Sequence, residues 1–501
     1  MLIAAFLHPA VETMHYTSLL SFFLLLAFCA LFSPVIGSAR ADVDVVVVGG
    51  GLSGLSTAKD LAAANKTFVV LEARDTVGGR VRNFNLTNGG EVELGAEFVG
   101  PTQDRVLALA AELGLETFLI YDTGDNILYR NGKVTPFAGD LATGLPPVQP
   151  LDLIEVGISE FTLDQWASQI DVYAPWTHPR AEEWDSQTLQ DFTNVYGPGP
   201  DAQFLLDLMA TSVFSTNMHE PSMLWVLAYI ASAGNQTEVG TLERLTGVKN
   251  AAQESRIVGG TQLLAIELAN KLGWDNIKLN QPVEKVILEP QQDVYIVETP
   301  LQNFSAEHVV IAMAPPMAAR IEYDPPVPAA RDQLTQRMPM GAIGKAIAIY
   351  ETPFWRDMGL NGQVLSDAGA MRSTFDSSPP DGSFGAMMGF LEADVVRQLD
   401  ELTIPEIETI TTQDLVNYFG PQAANVSQWV IQRWDLEEYS RGGPVAYAPP
   451  GVLTEYGAEG LRAPFGKLHF AGTETAPYWT GYMDGAIRSG ERAAAEIISN
   501  F

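Results

Sequence analysis

Residues 42–54, Asp42-Val-Asp-Val-Val-Val-Val-Gly-Gly-Gly-Leu-Ser-Gly, leave few choices for the fold that follows. Val43 and Val45 to Val48 form an apolar, β-branched run that ends in Gly49, Gly51 and Gly54, satisfying G-x-G-x-x-G. Leu52 to Ala64 then has helical character, and Thr67 to Leu71 is a second strand-like run closed by Glu72. Strand, glycine turn, helix, strand and acid form a dinucleotide-binding unit in a parallel sheet. Gly49 makes the turn, Gly51 lets a pyrophosphate approach the backbone, and Gly54 lets the helix pack on the strand. The helix N-terminus offers free N–H groups to phosphate. Glu72, 23 residues after Gly49, is placed to accept ribose hydroxyls.

The glycine motif alone does not separate NAD from FAD. Leu71-Glu-Ala-Arg-Asp-Thr-Val-Gly-Gly-Arg80 resembles the L-E-A-x-x-x-x-G-G-R signature of flavin amine oxidases. The resemblance implies FAD, with Arg74 and the Gly78-Gly79-Arg80 loop along the pyrophosphate and ribityl chain. The physics agrees, since paired glycines admit close approach and arginines make bidentate phosphate contacts.

At 501 residues the chain has room for two domains. Its net charge of −32 argues against nucleic acid and anionic membrane surfaces as partners. The six histidines (His8, His15, His178, His219, His308 and His469) are scattered without metal-ligand spacing, so no metal site is expected. Residues 19–36 are almost wholly apolar, and Ala39-Arg-Ala41 follows as a cleavage signal. We read residues 1–41 as a secretory signal peptide, with Met1 or Met14 as its start. An uncleaved, membrane-tethering signal anchor is the alternative. Five N-x-S/T sequons (Asn65, Asn85, Asn235, Asn303 and Asn425) fit a secreted glycoprotein. The single cysteine, Cys29, lies inside the apolar run.

Along the chain, Gly95-Ala-Glu-Phe-Val-Gly-Pro-Thr-Gln103 resembles the G-G-x-Y-V-G-P-T-Q segment of monoamine oxidases, with Glu97-Phe98 replacing a small residue and tyrosine. The strand–helix rhythm then gives way to prolines, aromatics and mixed helical segments. The expected fold class is α/β: a Rossmann-like FAD-binding domain with an inserted α+β substrate-binding domain. The FAD-binding parts are 42–120, 255–336 and 436–501; the substrate parts are 121–254 and 337–435. Ser222 to Ala231, with Trp225 and Tyr229, reads as a helix whose aromatics belong to the core more than to the substrate. By resemblance Gln253 faces the substrate and the Val283 backbone faces adenine.

Lys345 stands alone in the β-rich apolar run 338–356. A buried ammonium needs partners or loses its proton. The segment resembles the monoamine-oxidase stretch whose lysine holds a water against flavin N5. His469-Phe-Ala-Gly-Thr-Glu-Thr and Trp479-Thr-Gly-Tyr-Met-Asp-Gly resemble the family's C-terminal block. The resemblance implies that this block contributes Gly472, Glu474 and Met483 to the cofactor site and that Trp434 packs at the flavin. Thr480 is a plausible cap for the last helix, whose N-terminus near Met483 would favour added negative charge on the cofactor.

Two departures from the family matter. The position of the cysteine that carries covalent FAD in mitochondrial monoamine oxidases falls at Gly443, so non-covalent FAD is expected. The aromatic cage keeps Tyr482, while its other wall falls at Pro444, which widens the slot. The expected catalytic residues are Lys345, Tyr482 and Trp479; Gln253, Tyr482 and Pro444 would contact substrate. The expected reaction is oxidative deamination of an amine to an aldehyde or ketone, releasing ammonia and hydrogen peroxide. A polyamine or L-amino-acid oxidase, a biosynthetic FAD desaturase and a flavoprotein without turnover are the alternatives. An amino-acid oxidase would need a substrate-facing arginine such as Arg180, Arg372 or Arg441. A polyamine oxidase would need acids such as Glu97 or Glu254. Expected partners are a small-molecule amine and O₂, with a homodimer as an option and no C-terminal membrane anchor.

Overall fold

The valines of the opening run form strand β1 (Val43–Val48), because β-branched side chains suit a pleated surface buried on both sides. Val45 and Val47 join one hydrophobic cluster, and Val46 and Val48 join another on the opposite face. Helix α1 (Leu52–Ala63) follows, and strand β2 (Phe68–Leu71) pairs parallel to β1. In this computed structural model, residues 41–139 and 145–499 are described. The leader expected at 1–41, including Cys29, lies outside them apart from Ala41.

The first sheet has eight strands. Its order runs Ile277–Lys278, β2, β1, Asn303–Ala312, Val294–Glu298, Lys285–Glu289 and Glu322–Asp324. The strand Asn303–Ala312 has ten residues and divides its far edge between two partners. Its first half pairs antiparallel with Val294–Glu298, and its second half pairs parallel with Leu468–Ala471. The four parallel strands at the centre therefore end together beside Gly49, Glu72, Ala312 and Gly472, at the carboxyl edge where ligands bind in open α/β sheets. The C-terminal helix Met483–Ile498 packs on α1, where Gly490 meets the Ser53 carbonyl so closely that a Cβ would stand 2.2 Å from it.

The second sheet has seven strands, drawn wholly from 125–138 and 343–433. The strand Ile343–Tyr350 lies between Gly385–Glu392 and Gln428–Arg433, antiparallel to both. Seven of its eight positions are buried, so Lys345 sits in a strand with little access to water. Helices Pro150–Ala167, Pro200–Phe214 and Met223–Ser232 share a third core with Trp479 and the 445–448 segment. Both sheets belong to one compact unit, 42–501. Among the described residues, no helix is long and apolar enough to cross a membrane.

Candidate active site

A single cavity of about 920 Å³ runs from the glycine turn through to the helices of the third core. At the glycine turn, Gly49 adopts φ +109°, and a Cβ there would stand 2.7 Å from the Ala312 carbonyl. A Cβ on Gly54 would lie 2.0 Å from the Gly49 carbonyl, so only glycine lets helix and turn meet. Gly51 caps α1 with no side-chain hydrogen bond and has nothing nearer than 3.8 Å where a Cβ would be. The first-turn N–H groups of α1 therefore face the cavity beside an open backbone approach. Gly79, with φ +62°, packs across Gly51.

Glu72 is buried and accepts from the Gly50 N–H at 2.7 Å and the Arg74 N–H at 2.9 Å. Burial raises its pKa, against those two N–H donors and the Arg74 charge. Arg74 donates to Ser440 at 2.9 Å. Arg80 grips Glu474 through both terminal nitrogens, at 2.6 and 3.2 Å, and donates to the Pro444 carbonyl at 2.6 Å. Glu474 also accepts from the Ala446 N–H and does not line the cavity. It holds Arg80 in place instead of meeting a ligand. Val283, Trp434, Gly472 and Met483 all line the cavity. Trp434 is fixed by its indole N–H to the Leu94 carbonyl at 2.7 Å.

The helix Met483–Ile498 starts at the cavity, and its N-cap is Tyr482, with no side-chain cap. Thr480, the expected cap, instead turns its hydroxyl back to the Ala476 carbonyl at 2.7 Å. The cavity thus has two uncapped helix N-termini on its walls. Beside them stand Arg74, Arg80, the buried Glu72 carboxylate and Trp434, a set that fits a dinucleotide carrying a ring system.

Lys345 lines the same cavity. Its ammonium donates to Glu97 at 2.7 Å and to the Glu93 carbonyl at 3.2 Å. An ammonium has three donors, so one remains for a group inside the cavity. Glu97 also meets Arg256 Nε at 3.0 Å and the Ser377 hydroxyl at 2.5 Å, and Arg256 reaches on to the Glu93 carboxylate. Burial alone would raise the Glu97 pKa, but the Lys345 and Arg256 charges outweigh it and hold it below its ordinary value. Lys345, Arg256, Glu97 and Glu93 thus close a buried network, in which burial raises the Glu93 pKa against the Arg256 charge.

Tyr482 and Pro444 also face the cavity, with Tyr229 alongside. The Tyr229 and Tyr482 ring centroids are 6.2 Å apart at 46°. Sequence reasoning placed Tyr229 in the core, and it does pack there, yet its ring also forms cavity wall. Its spacing of four residues from Trp225 was the available signal. Trp479 is fully buried, bonded to the Thr102 carbonyl at 3.0 Å, and absent from the cavity wall. It buttresses Tyr482 edge-on at 4.8 Å, so it reaches the substrate only through that ring. Gln253 lines the cavity, with Nε2 bonded to the Leu245 carbonyl and Oε1 lacking a partner. Arg180 and Arg372 pair with Glu183 and Asp207, and neither they nor Arg441 line the cavity. Glu254 also lies off the wall, accepting from the Asn250 N–H. Among the described residues no cluster of potential metal ligands occurs.

The family model for flavin containing amine oxidoreductase matches residues 52–498. Amine oxidase [flavin-containing] B of Cavia porcellus is 38% identical over 465 residues, covering 92% of this chain and 87% of that protein. A putative flavin-containing monoamine oxidase of Mycobacterium tuberculosis is 38% identical, covering 91% of this chain and 97% of that protein. Among solved structures, cyclohexylamine oxidase from Brevibacterium oxydans superposes with a TM-score of 0.85 at 30% identity, covering 92% and 99% of the two chains. Putrescine oxidase bound to putrescine matches with the same score and identity, over 91% and 99%.

Proposed function

This chain belongs to the flavin-containing amine oxidoreductase family, and from that premise we propose that it carries FAD without a covalent tether and oxidises an amine held between Tyr229, Tyr482 and Pro444. One observation carries the reading: the glycine turn, Lys345 and the tyrosine pair all open onto one continuous cavity. The flavin supplies the two-electron acceptor that O₂ regenerates with release of hydrogen peroxide. The α1 N-terminus, Arg74 and Arg80 would hold the pyrophosphate, and Glu72 would take the ribose hydroxyls. Trp434 and Met483, which line the cavity, would bound the ring system. Gly443 lines the cavity where a tethering thiol would have to stand, and the only cysteine in the chain is Cys29, which supports a non-covalent cofactor.

On the substrate side, the two tyrosine rings and Pro444 orient the amine, and the unpartnered Gln253 Oε1 accepts one of its N–H groups. The amine must be neutral to react. Lys345 is held by Glu97 and the Glu93 carbonyl, and its third N–H would hold a water or a cofactor atom at the reacting end. The product imine is hydrolysed to an aldehyde or ketone and ammonia. Among the described residues, Arg80 is the arginine that reaches Pro444, and it is already held by Glu474 and the Pro444 carbonyl, which favours amines over amino acids.

We further propose that the chain follows a secretory route. Four sequon asparagines, Asn65, Asn85, Asn303 and Asn425, are exposed, while Asn235 is half-buried and donates to Asp104. Acid precipitation of the purified protein tests the cofactor mode: FAD is expected in the supernatant, and yellow colour retained in the pellet would refute it. A panel of amines scored for peroxide tests the activity.

A further inference from the structure

The carboxylates near the cavity differ in one respect. Glu97, Glu93 and Glu474 each face an arginine or lysine within 4 Å. Glu392, at the end of strand Gly385–Glu392, is just as buried and has no such partner. One oxygen accepts from the Ser212 hydroxyl at 3.3 Å, and the other, Oε1, is buried with no hydrogen bond. The Ser212 hydroxyl lies 3.1 Å from that of Ser373, and both serines line the cavity, from helix Pro200–Phe214 and strand Ser373–Asp376. Around them the wall is mostly apolar, with Leu208, Met209, Val364 and Phe375, and the nearby Thr374 hydroxyl is committed to the Gly362 carbonyl at 2.6 Å.

A lone buried carboxyl with an unsatisfied oxygen costs stability, and native structures retain such groups where function needs them. Resting on the reading above, we propose that Ser212 and Ser373, backed by Glu392, form a recognition site for a second ammonium group, so that the preferred substrates are diamines. A second cation would meet the two hydroxyls directly, with the Glu392 charge one hydroxyl behind them. Glu392 is therefore a positioning and specificity residue, not a catalytic one. Burial pushes its pKa up to about 8, opposed by the Arg372 charge and the Ser212 hydroxyl, while Asp207 adds to the rise. Arg372 is itself paired with Asp207 at 3.0 Å. Glu392 is then neutral at pH 7 in the free protein and gives up its proton when a cation arrives.

The test compares α,ω-diamines of increasing length with the matching n-alkylamines on the flavin-loaded enzyme and on Glu392→Leu, Glu392→Gln and Ser373→Ala. For at least one length, the wild type is expected to favour the diamine at least tenfold in kcat/KM. Glu392→Leu should erase that preference while leaving the monoamine within about twofold. Calorimetric titration in buffers of different ionisation enthalpy should show one more proton released on binding that diamine than on binding the monoamine, an excess that Glu392→Gln removes. Removing the lone carboxyl should also raise thermal stability at pH 8, which separates loss of recognition from loss of fold. The proposal is overturned if the wild type shows no diamine preference at any length, or if the variants lose diamine and monoamine activity alike. Failure of every amine, monoamines included, would sink the oxidase reading itself.

Discussion

Replacing Glu97 by glutamine takes one negative charge from the network of Lys345, Arg256 and Glu93 while keeping the shape and the Ser377 contact. Two buried cations are then left with one carboxylate. Breaking a buried pair from one side costs about 3–5 kcal/mol, because the remaining charge has lost its partner. Unfolding entropy of about 2.1 cal/mol/K per residue gives about 1 kcal/mol/K for a unit of roughly 460 residues. The expected fall in Tm is therefore about 3–5 °C, read by calorimetry at one fixed scan rate on flavin-free protein. Because Glu97 titrates below its ordinary 4.5 in the folded state, its contribution is present above pH 4.5. That contribution is lost as pH falls through the lower folded value, so the gap between the two proteins should narrow only below pH 4.5. A glutamine variant as stable as the wild type at pH 7 would show that the network does not hold Lys345, and the account of that lysine would fail.

Gly54→Ala puts a methyl group 2.0 Å from the Gly49 carbonyl, so the variant should purify with little flavin, measured as the ratio of visible to ultraviolet absorbance. Tyr482→Phe should keep most activity, whereas Tyr482→Leu should lose roughly tenfold or more in kcat/KM, since the ring face and not the hydroxyl orients the amine. Because the neutral amine reacts, log kcat/KM should rise toward alkaline pH with a slope approaching about one. A flat profile would contradict this.

Much of the cofactor half was legible because its parts are local. The glycines, Glu72 and Arg74 lie within 26 residues, and each has a steric or electrostatic reason to be where it is. Lys345 was legible for a different reason, as one ammonium in an apolar strand. What escaped depends on long-range packing. The partner of Lys345 lies 248 residues away, so Glu97 was visible only as an odd residue in a resembling segment. Ser212 and Glu392 lie 180 residues apart and carry no motif. Trp479 and Tyr229 show the limit of residue-type reasoning: both are buried aromatics in the third core, and only the way the chain packs puts Tyr229 on the cavity wall and Trp479 behind it. The Thr480 cap failed because its hydroxyl found the Ala476 carbonyl, leaving the helix N-terminus open toward the cavity.

Whether one cavity joins flavin and amine is read from the visible spectrum of the flavin-loaded protein titrated anaerobically with amines. An amine is expected to bleach the flavin bands, and air to restore them with one peroxide formed per flavin. A tightly bound flavin that no monoamine, diamine or polyamine bleaches would contradict it.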